Sequence, residues 1–301
     1  MITFLKQTLR KYLPKQFFVF LSILFVVVFL KNKNIQRIKK YASFTEKQFI
    51  PVKISDTSFE ILIDPDNGGV DFEIYADGVY EPEILHVIKS LLERKNNSVF
   101  LDVGANIGQH SLFASRFAQK VFAFEPIPKL FTQFTDSIYK NKFYNIFLCR
   151  IALGDRSMTS HIHTNNQNMG ASSLVSHTGD TQGVFVQIER FDDISEQLGI
   201  HSVDVVKMDV EGFEYESLQG MQKMITKCHP SFVFEFSPHL YSTKERGFEI
   251  YSFFIENGYR LFLITKEGTF SEQVTDFSQL ETIFQTNLIA EYIGNNTTDI
   301  C

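Results

Sequence analysis

Residues 99–112 read VFLDVGANIGQHSL, an apolar run that ends in a turn containing glycine. The short apolar segment Val99–Val103 predicts a buried β-strand, and the residues from Gln109 onward predict a helix. Glycines in such a turn let the backbone approach a ligand closely and direct helix N–H groups towards it. The stretch therefore predicts a strand–turn–helix unit of an α/β fold, with a ligand bound at the turn.

Strands and helices alternate along most of the downstream chain. The predicted strands cover residues 99–103, 120–124, 146–152, 203–208, 232–236 and 259–265, and the predicted helices cover 109–117, 130–141, 214–224 and 249–257. Apolar strands separated by helices indicate a mostly parallel sheet that is covered on both faces. A further strand at 287–292 is predicted to pair antiparallel with 259–265. We therefore predict a doubly wound sheet with an antiparallel last strand, which binds ligands at the carboxyl ends of its strands.

The α/β pattern also predicts how the chain is divided. Two short strands and a helix at 49–95 lead into the main domain, which covers 96–294 and is followed by a tail at 295–301. The alternation is interrupted at about 156–190, where 158–163 and 184–189 are predicted strands on either side of a polar loop. We interpret this part as an insertion beside the site, because it follows the third strand directly.

The N-terminal region has a composition of its own. Residues 17–30, FFVFLSILFVVVFL, form an apolar run between a basic tail at 1–16 and a basic linker at 31–48. The run is shorter than the ~20 residues of a full span, but Lys15 and Lys31 can snorkel to the interface. A signal peptide is disfavoured because the run ends in Lys31-Asn32-Lys33, a poor cleavage site. The prediction is one transmembrane signal anchor, which places the protein in an endomembrane (ER or Golgi) or a bacterial inner membrane.

Charge limits the range of partners. The net charge is −6 and the pI is about 5.8. A chain with a net negative charge lacks the positive surface potential on which nucleic-acid binders depend, so no nucleic-acid partner is expected. The expected partners are a small-molecule or glycan acceptor and the lipid bilayer, which residues 17–30 would contact. Basic residues flank the apolar run on both sides, so the side of the membrane on which the domain lies stays open.

Two acids accompany the first two strands. Asp102 lies at the end of the first strand, where a carboxylate would repel a pyrophosphate and suit a ligand that carries a sulfonium or amino group. The turn also lacks the third glycine of a GxGxxG dinucleotide site. Glu125 ends the second strand, about 20 residues after the turn, where an acid holds a ribose diol. Glu125 by itself is compatible with NAD and with S-adenosylmethionine, whereas Asp102 favours S-adenosylmethionine.

A third group of acids follows the later strands. Asp209 and Glu211 lie in the run KMDVEGFE (207–214), and Glu235 ends the next strand. Neighbouring carboxylates raise one another's pKa and can provide a base, or they can hold a divalent cation. The competing interpretation is that the glutamates only favour the N-terminus of the next helix, and we accept it for Glu214. We predict catalytic roles for Asp209, Glu211 and Glu235, and we assign no metal ligands.

Several motifs together resemble the FkbM family of methyltransferases. They are VFLDVGANIGQHSLFAS, VFAFEPIPKLF, RIALGDRS, GASSLV, VDVVKMDVEGFEYESLQGM and PSFVFEF, and they extend from about Tyr80 to Tyr259. The resemblance implies a Rossmann-like class I methyltransferase fold, S-adenosylmethionine as cofactor and a hydroxyl acceptor, often on a sugar or a polyketide. It places the following residues at the cofactor: Asp102, Gly104, Asn106 and Gly108 in the loop, Glu125 at the ribose and Asp155 beside the adenine.

The resemblance also has limits. Asp209 and Glu211 fall on the late signature of the family, but Arg190-Phe191-Asp192 stands where the family commonly has Thr-Leu-Asp. We predict O-methylation of a hydroxyl on a glycan, a glycolipid or a related small molecule at a membrane, with Asp209 or Glu211 as the base. One alternative is an NAD(P)-dependent sugar oxidoreductase, which the missing glycine disfavours. The other is an inactive membrane-anchored binding module, which has no reason to retain so many acids at one cleft.

Overall fold

The computed structural model describes residues 32–163, residue 174 and residues 183–294. The predicted anchor at 17–30 and the predicted tail at 295–301 lie outside the described residues. The chain forms two compact units, divided between Thr45 and Glu46. In the first unit, the predicted linker contains a helix, α1 (Asn32–Ser43). Over the described ranges, no helix combines the length and the apolar character needed to cross a bilayer.

The second unit is built around a central sheet. In the described part of the chain the strands are β1 (Gln48–Ile54), β2 (Thr57–Ile63), β3 (Val99–Val103), β4 (Lys120–Phe124), β5 (Ile146–Cys149), β6 (Ala152–Leu153), β7 (Met158–His163), β8 (Gly183–Glu189), β9 (Val205–Met208), β10 (Ser231–Phe236), β11 (Tyr259–Ile264), β12 (Phe270–Val274) and β13 (Thr286–Tyr292). The central sheet has eight strands in the order β12-β11-β13-β10-β9-β3-β4-β5. Strands β10, β9, β3, β4 and β5 are parallel, and β13 lies antiparallel between β10 and β11. The prediction of a mostly parallel sheet with an antiparallel last strand is confirmed.

Helices cover both faces of this sheet. Those of the second unit are α2 (Gly69–Asp77), α3 (Pro82–Leu92), α4 (Gln109–Ala114), α5 (Pro128–Asn141), α6 (Phe191–Ile194), α7 (Glu214–Gln219), α8 (Gln222–Cys228), α9 (Arg246–Glu256) and α10 (Ser278–Glu281). All five residues of β3 are buried, and successive side chains point to opposite faces. Leu101 and Val103 belong to the same core cluster as Phe191 and Leu218, from α6 and α7. Asp102 therefore points to the other face, on which α4 lies.

The β1–β2 hairpin packs against α5 through side chains of that helix. Asn141 and Ser137 accept hydrogen bonds from the backbone N–H groups of Glu60 and Leu62, at 2.8 and 3.0 Å. Gln133 donates in return to the carbonyl oxygen of Leu62, at 2.8 Å. These contacts satisfy the backbone groups of β2 that face away from β1. The hairpin is thus attached to the α/β core by hydrogen bonds to a helix of that core.

The predicted helix at 214–224 is wrong as a single element, because it is divided into α7 and α8 at Gly220. A Cβ atom at Gly220 would overlap the carbonyl oxygen of Gly154. Gly220 lies close to Gly154, which follows β6. The N–H of Gly220 donates to the carbonyl oxygens of both Glu216 and Ser217. A tertiary contact therefore breaks the helix, although the apolar spacing continues through it.

The predicted third strand, at 146–152, is also too long. It leaves the central sheet after Cys149, and β6 pairs instead with β8 in a separate three-stranded sheet of order β6-β8-β7. The two strands predicted within the insertion are present, and they pair antiparallel as β7 and β8. Five of the described elements were not predicted: the helices α1, α2, α6 and α10 and the strand β12. Strand β12 has weak apolar alternation, with only Val274 buried.

Candidate functional site

A cleft opens at the carboxyl ends of β3, β4 and β9. It encloses about 620 Å³, including its open mouth. The cleft brings together predicted residues from three separate segments of the chain, and they include these five: Gly104, Asn106, Glu125, Asp209 and Glu211. Asp102, Gly108 and Asp155 are not among the described residues that line it.

The turn after β3 adopts an unusual backbone conformation. Gly104, Asn106 and Gly108 have φ angles of 81°, 54° and 88°, in the left-handed region. A Cβ atom at Gly104 would overlap the carbonyl oxygen of Asp209, and one at Gly108 would overlap the ring of Phe134. Glycine is therefore required at both positions by close approach as well as by φ. The first contact joins the turns after β3 and β9 on one side of the cleft.

The backbone N–H groups of this turn are all engaged within the protein. Each of the five residues from 104 to 108 donates to a protein acceptor. The pairs are Gly104 and Ala105 to the Phe124 carbonyl (3.0 Å each), Asn106 to Glu125 Oε2 (2.9 Å), Ile107 to Asn106 Oδ1 (2.8 Å) and Gly108 to the Ala105 carbonyl (2.9 Å). A pyrophosphate binds at such a turn through N–H groups that are free to donate. This arrangement counts against a dinucleotide cofactor.

Asp102 lies beneath the turn and is fully buried. Its Oδ2 accepts a hydrogen bond from the Ser111 hydroxyl at 2.6 Å, and its Oδ1 lies 4.0 Å from Nζ of Lys207. Burial raises the pKa of Asp102, while Lys207 and the hydrogen bonds from Ser111 oppose that shift. The carboxylate therefore lies at the N-terminus of α4, where an anion is favoured. Its side chain thus faces Ser111 and Lys207 and is not part of the cleft lining.

Lys207 forms ion pairs with two of the acids, Asp102 and Asp209, and was not identified from the sequence as a site residue. Its Nζ is 3.2 Å from Oδ2 of Asp209 and donates to the Gly104 carbonyl oxygen at 3.3 Å. Burial alone would lower the pKa of Lys207, but the charges of Asp209, Asp102 and Glu81 outweigh it and raise the pKa. The lysine therefore stays charged. A charged residue inside the apolar strand β9 was the signal that could have identified it.

Glu125 forms the base of the cleft and is 4% exposed. Its Oε2 accepts from the N–H of Asn106 at 2.9 Å, and its Oε1 accepts from the N–H of Ile127 at 2.8 Å. Burial raises the pKa of Glu125 to about 7, against these two hydrogen bonds. Each carboxylate oxygen retains a lone pair that can accept from one hydroxyl of a diol.

Apolar side chains form much of the rest of the cleft lining. We call the following group the apolar slot: Ile127, Leu153, Ile162, Leu174 and Phe213. An apolar slot beside a diol-binding carboxylate fits a nucleoside, with the base in the slot and the ribose at Glu125.

Asp155 lies near the slot without lining it. Its carboxylate is 3.4 Å from Nε of Arg156, and its carbonyl oxygen accepts from Arg190 at 2.7 Å. Ala152 and Leu153, from the same motif, do line the cleft. The described contacts of Asp155 are thus with arginines, and its predicted place beside the adenine stays a prediction.

Asp209 and Glu211 line the cleft, and both interact electrostatically with Glu235. Glu211 has a φ of 52°, a strained value for a residue with a side chain. Burial raises the pKa of Glu211, and the charges of Asp209 and Glu235 add to the shift. Burial also raises the pKa of Glu235, with Asp209 as the next cause. The three predicted catalytic acids therefore interact electrostatically, although Glu235 is not part of the cleft lining described above.

Glu214 has the structural role expected of it. Its Oε1 accepts from the N–H groups of Val210 and Gly212, at 3.2 and 3.4 Å. The side chain is fully buried and stabilises the turn that carries Asp209 and Glu211. Within the described residues, no group of His, Cys, Asp and Glu side chains is suited to hold a metal ion.

Glu81, at the start of α3, joins the acidic group and was not identified from the sequence. Its Oε1 accepts from Nδ2 of Asn287 at 3.0 Å, and its Oε2 is 3.7 Å from Nε2 of His110. Burial raises the pKa of Glu81 to about 7, and Asp209 adds to the shift. Burial and the charge of Lys207 lower the pKa of His110, so this histidine is neutral. Asn287 lies 206 residues from Glu81 in sequence, so no local pattern predicts the contact.

The mostly parallel sheet, the glycine turn and the acids at the strand ends define a Rossmann-like α/β fold with a ligand site at its carboxyl edge. The chain belongs to the FkbM family, because the Methyltransferase FkbM domain matches residues 102–261, more than half of its length. The chain is therefore a methyltransferase, as the motifs predicted.

Two relatives carry functional names. The 2-O-methyltransferase NoeI of Sinorhizobium fredii is 28% identical over 177 residues, which cover 51% of this chain and 70% of NoeI. The hexuronic acid methyltransferase AglP of Haloferax volcanii is 34% identical over 137 residues, which cover 45% of this chain and 55% of AglP. The match thus spans little more than half of AglP.

Among solved structures, Methyltransferase FkbM from Methylobacillus flagellatus superposes with a TM-score of 0.43 at 15% identity. The superposition covers 73% of this chain and 52% of that protein.

Proposed function

We propose that this methyltransferase uses S-adenosylmethionine to methylate a hydroxyl of a glycan, a glycolipid or a related small molecule. The observation that carries the cofactor assignment is the turn at 104–108, whose N–H groups are all engaged while Glu125 keeps lone pairs for a diol. Such a site favours a nucleoside without a pyrophosphate. S-adenosylmethionine is a nucleoside of this kind, and its sulfonium is compatible with the carboxylates on the same cleft.

When bound, S-adenosylmethionine supplies an electrophilic methyl group, and S-adenosylhomocysteine remains after transfer. The protein has three tasks: to hold the ribose at Glu125, to hold the base in the apolar slot, and to accept the proton of the acceptor hydroxyl. Asp209 and Glu211 border the cleft and are the groups placed for the last task. A carboxylate whose pKa is raised is a stronger base once ionised, so Glu211 is favoured as the proton acceptor, with Glu235 as the further candidate.

The acceptor assignment rests on the relatives and on the acids. NoeI is named as a 2-O-methyltransferase and AglP as a methyltransferase of a hexuronic acid, which supports a sugar hydroxyl. Carboxylates accept hydrogen bonds, so they suit a methyl acceptor that is rich in hydroxyl groups.

The membrane forms part of the same proposal. Residues 17–30 are apolar between basic flanks, and we propose that they anchor the protein as a single-pass membrane protein of an endomembrane or a bacterial inner membrane. The enzyme would then meet its glycan or glycolipid acceptor close to the bilayer surface. Extraction of membranes at alkaline pH tests the anchor, because an anchored chain stays with the lipid and a peripheral one is released.

The test of the chemistry uses the full-length chain in detergent. Equilibrium dialysis with S-adenosylmethionine, NAD and NADP compares the cofactors directly, and we expect only S-adenosylmethionine to bind. Incubation with methyl-labelled cofactor and a panel of glycans and lipids then reports transfer. Binding of NAD or NADP alone would support the oxidoreductase, and cofactor binding without transfer to any panel member would support the inactive module.

A further inference from the structure

The end of β10 and the start of β13 meet at the edge of the sheet where the acids lie. The two strands are antiparallel, with Glu235 opposite Asn287. Residues 284–287 therefore lie at the carboxyl edge of the parallel strands. Two side-chain amides of this segment donate hydrogen bonds to glutamates. Gln285 donates to Oε1 of Glu235, and Asn287 donates to Oε1 of Glu81 at 3.0 Å. We call Glu81, Glu235, Gln285 and Asn287 the acid–amide pairs.

An aromatic pair lies beside the acid–amide pairs. The rings of His239 and Phe284 are stacked, with centroids 3.9 Å apart and planes inclined by 13°. Nδ1 of His239 also lies 3.0 Å from the carbonyl oxygen of Phe284, within hydrogen-bonding distance. Phe284 is nevertheless 69% exposed. A single exposed phenylalanine is ordinary, but this ring has a fixed orientation and immediately precedes Gln285.

The four members of the acid–amide pairs differ in exposure. Glu235 is 7% exposed, and the Ser237 side chain stabilises its carboxylate in addition to Gln285. Gln285 is exposed, and Glu81 and Asn287 are partly exposed. These three side chains are therefore the ones that a ligand can reach directly.

An aromatic face beside carboxyl and amide groups matches the chemistry of a sugar ring. A pyranose presents polarised C–H groups on one face, which the negative face of an aromatic ring attracts, and hydroxyl groups around its edge. Carboxylates and amides bind those hydroxyls as acceptors and donors. We propose that Phe284, supported by His239, is the stacking platform for a pyranose of the acceptor, whose hydroxyls bind the acid–amide pairs. This inference rests on the proposed function and assigns residues to its acceptor.

Most of this acceptor site lies outside the part of the chain that matches the family. The family match covers 102–261, whereas Glu81 precedes it and residues 284–287 follow it. Glu235 and His239 lie inside the match. The shared domain thus contributes the cofactor turn, while segments on either side of it complete the acceptor site.

The absence of tryptophan from the chain makes a direct test possible. Phe284→Trp introduces a single fluorescent reporter and keeps an aromatic face. The probes are methyl β-glucopyranoside, methyl α-mannopyranoside and methyl β-glucuronide, titrated into the full-length variant in detergent. We expect a saturable change in emission with at least one of them. An emission that none of the three changes would overturn the proposal.

Phe248→Trp is the matched control. Phe248 is 52% exposed on α9 and packs edge-on against Phe277, with the centroids 5.3 Å apart. It is thus a comparable exposed aromatic residue with an aromatic neighbour, outside the proposed platform. Its emission should not respond to the glycosides. An equal response in both variants would show non-specific binding and would also overturn the proposal.

Activity provides the second readout. With a glycan that accepts methyl groups, Phe284→Leu should raise KM about 5- to 10-fold, because stacking is lost while apolar character remains. Its kcat and the dissociation constant of S-adenosylmethionine should stay close to those of the unmodified protein, and Phe284→Trp should restore KM. An unchanged KM in Phe284→Leu refutes the platform and leaves the proposed function intact. Failure of the unmodified protein to bind S-adenosylmethionine refutes the proposed function instead.

Discussion

The cofactor side and the acceptor side of the cleft are built by different means. On the cofactor side, a glycine turn with engaged N–H groups and a buried glutamate shape the site largely through backbone contacts within residues 102–261. On the acceptor side, side chains from distant segments meet, as Glu81 and Asn287 do. Backbone geometry suits a ligand that never changes, and exchangeable side chains suit a ligand that differs between enzymes.

The surroundings of the carboxylates also differ between the two sides. Asp102 is balanced by Lys207 and by hydrogen bonds from Ser111. Burial raises the pKa of acids on both sides, but neighbouring negative charges add to the shift at Glu211 and Glu235, which suits these two acids to exchange a proton. We therefore expect substitutions on the acceptor side to affect the reaction, and substitutions on the cofactor side to affect folding and cofactor binding.

The largest effect is expected at Asp209 and Glu211, two acids that line the cleft. Asp209→Asn or Glu211→Gln should reduce methyl transfer by about 10²- to 10⁴-fold, the usual contribution of a positioned base. The dissociation constant of S-adenosylmethionine should change little, because its ribose and base are held elsewhere. Glu216→Gln is the control, since Glu216 pairs with Arg246 at 2.9 Å and does not line the cleft. Full activity in both Asp209→Asn and Glu211→Gln would show that neither acid is the base.

Asp102→Asn should act on stability. The change leaves buried Lys207 with one carboxylate fewer, so the free energy of unfolding should fall by about 3 kcal/mol. Urea denaturation measures that loss, and dialysis with S-adenosylmethionine should show a nearly unchanged dissociation constant. A large loss of cofactor affinity without a loss of stability would show instead that Asp102 contacts the cofactor directly.

Glu125→Gln should weaken the binding of S-adenosylmethionine by about 10- to 100-fold, since hydrogen bonds to a charged acceptor contribute about 1.5–3 kcal/mol each. Asp155→Asn is the comparison, because Asp155 lies near the slot but does not line it. Isothermal titration of both variants separates the two positions. Equal losses would place Asp155 at the cofactor as well, as the family motif implies.

Stability should also depend on pH. Burial raises the pKa of Asp71 to about 6, and that of Glu214 to about 7. The folded state therefore binds more protons than the unfolded state between about pH 4 and 7, so stability is fully present below that window and falls as pH rises through it. The melting temperature of the protein without ligand should decrease by about 2–4 °C for each kcal/mol lost.

Glu214→Gln provides the check on that trend. The amide oxygen can still accept from Val210 and Gly212, but the group no longer titrates. The decline in melting temperature between pH 5 and 7.5 should be less steep in this variant. A decline as steep as that of the unmodified protein would show that Glu214 does not contribute.

Local patterns were sufficient for the main features of the fold. Five apolar residues before a glycine turn predict β3, and the alternation that follows predicts parallel strands, because only buried strands are apolar on both faces. The strand ends then place Glu125, Asp209 and Glu211 at one edge of the sheet. The same patterns could not predict the break at Gly220, which is caused by the approach of Gly154.

Residues close together in the chain are enough to predict the fold class, the glycine turn and the family. The direction of the Asp102 side chain, towards Ser111 and Lys207 and away from the cleft, follows only from the packing of the fold, since it depends on which helix covers that face of the strand. The packing also brings together Glu81, Glu235, Gln285 and Asn287. Their contacts depend on the insertion of β13 between β10 and β11, which brings distant segments together at the carboxyl edge.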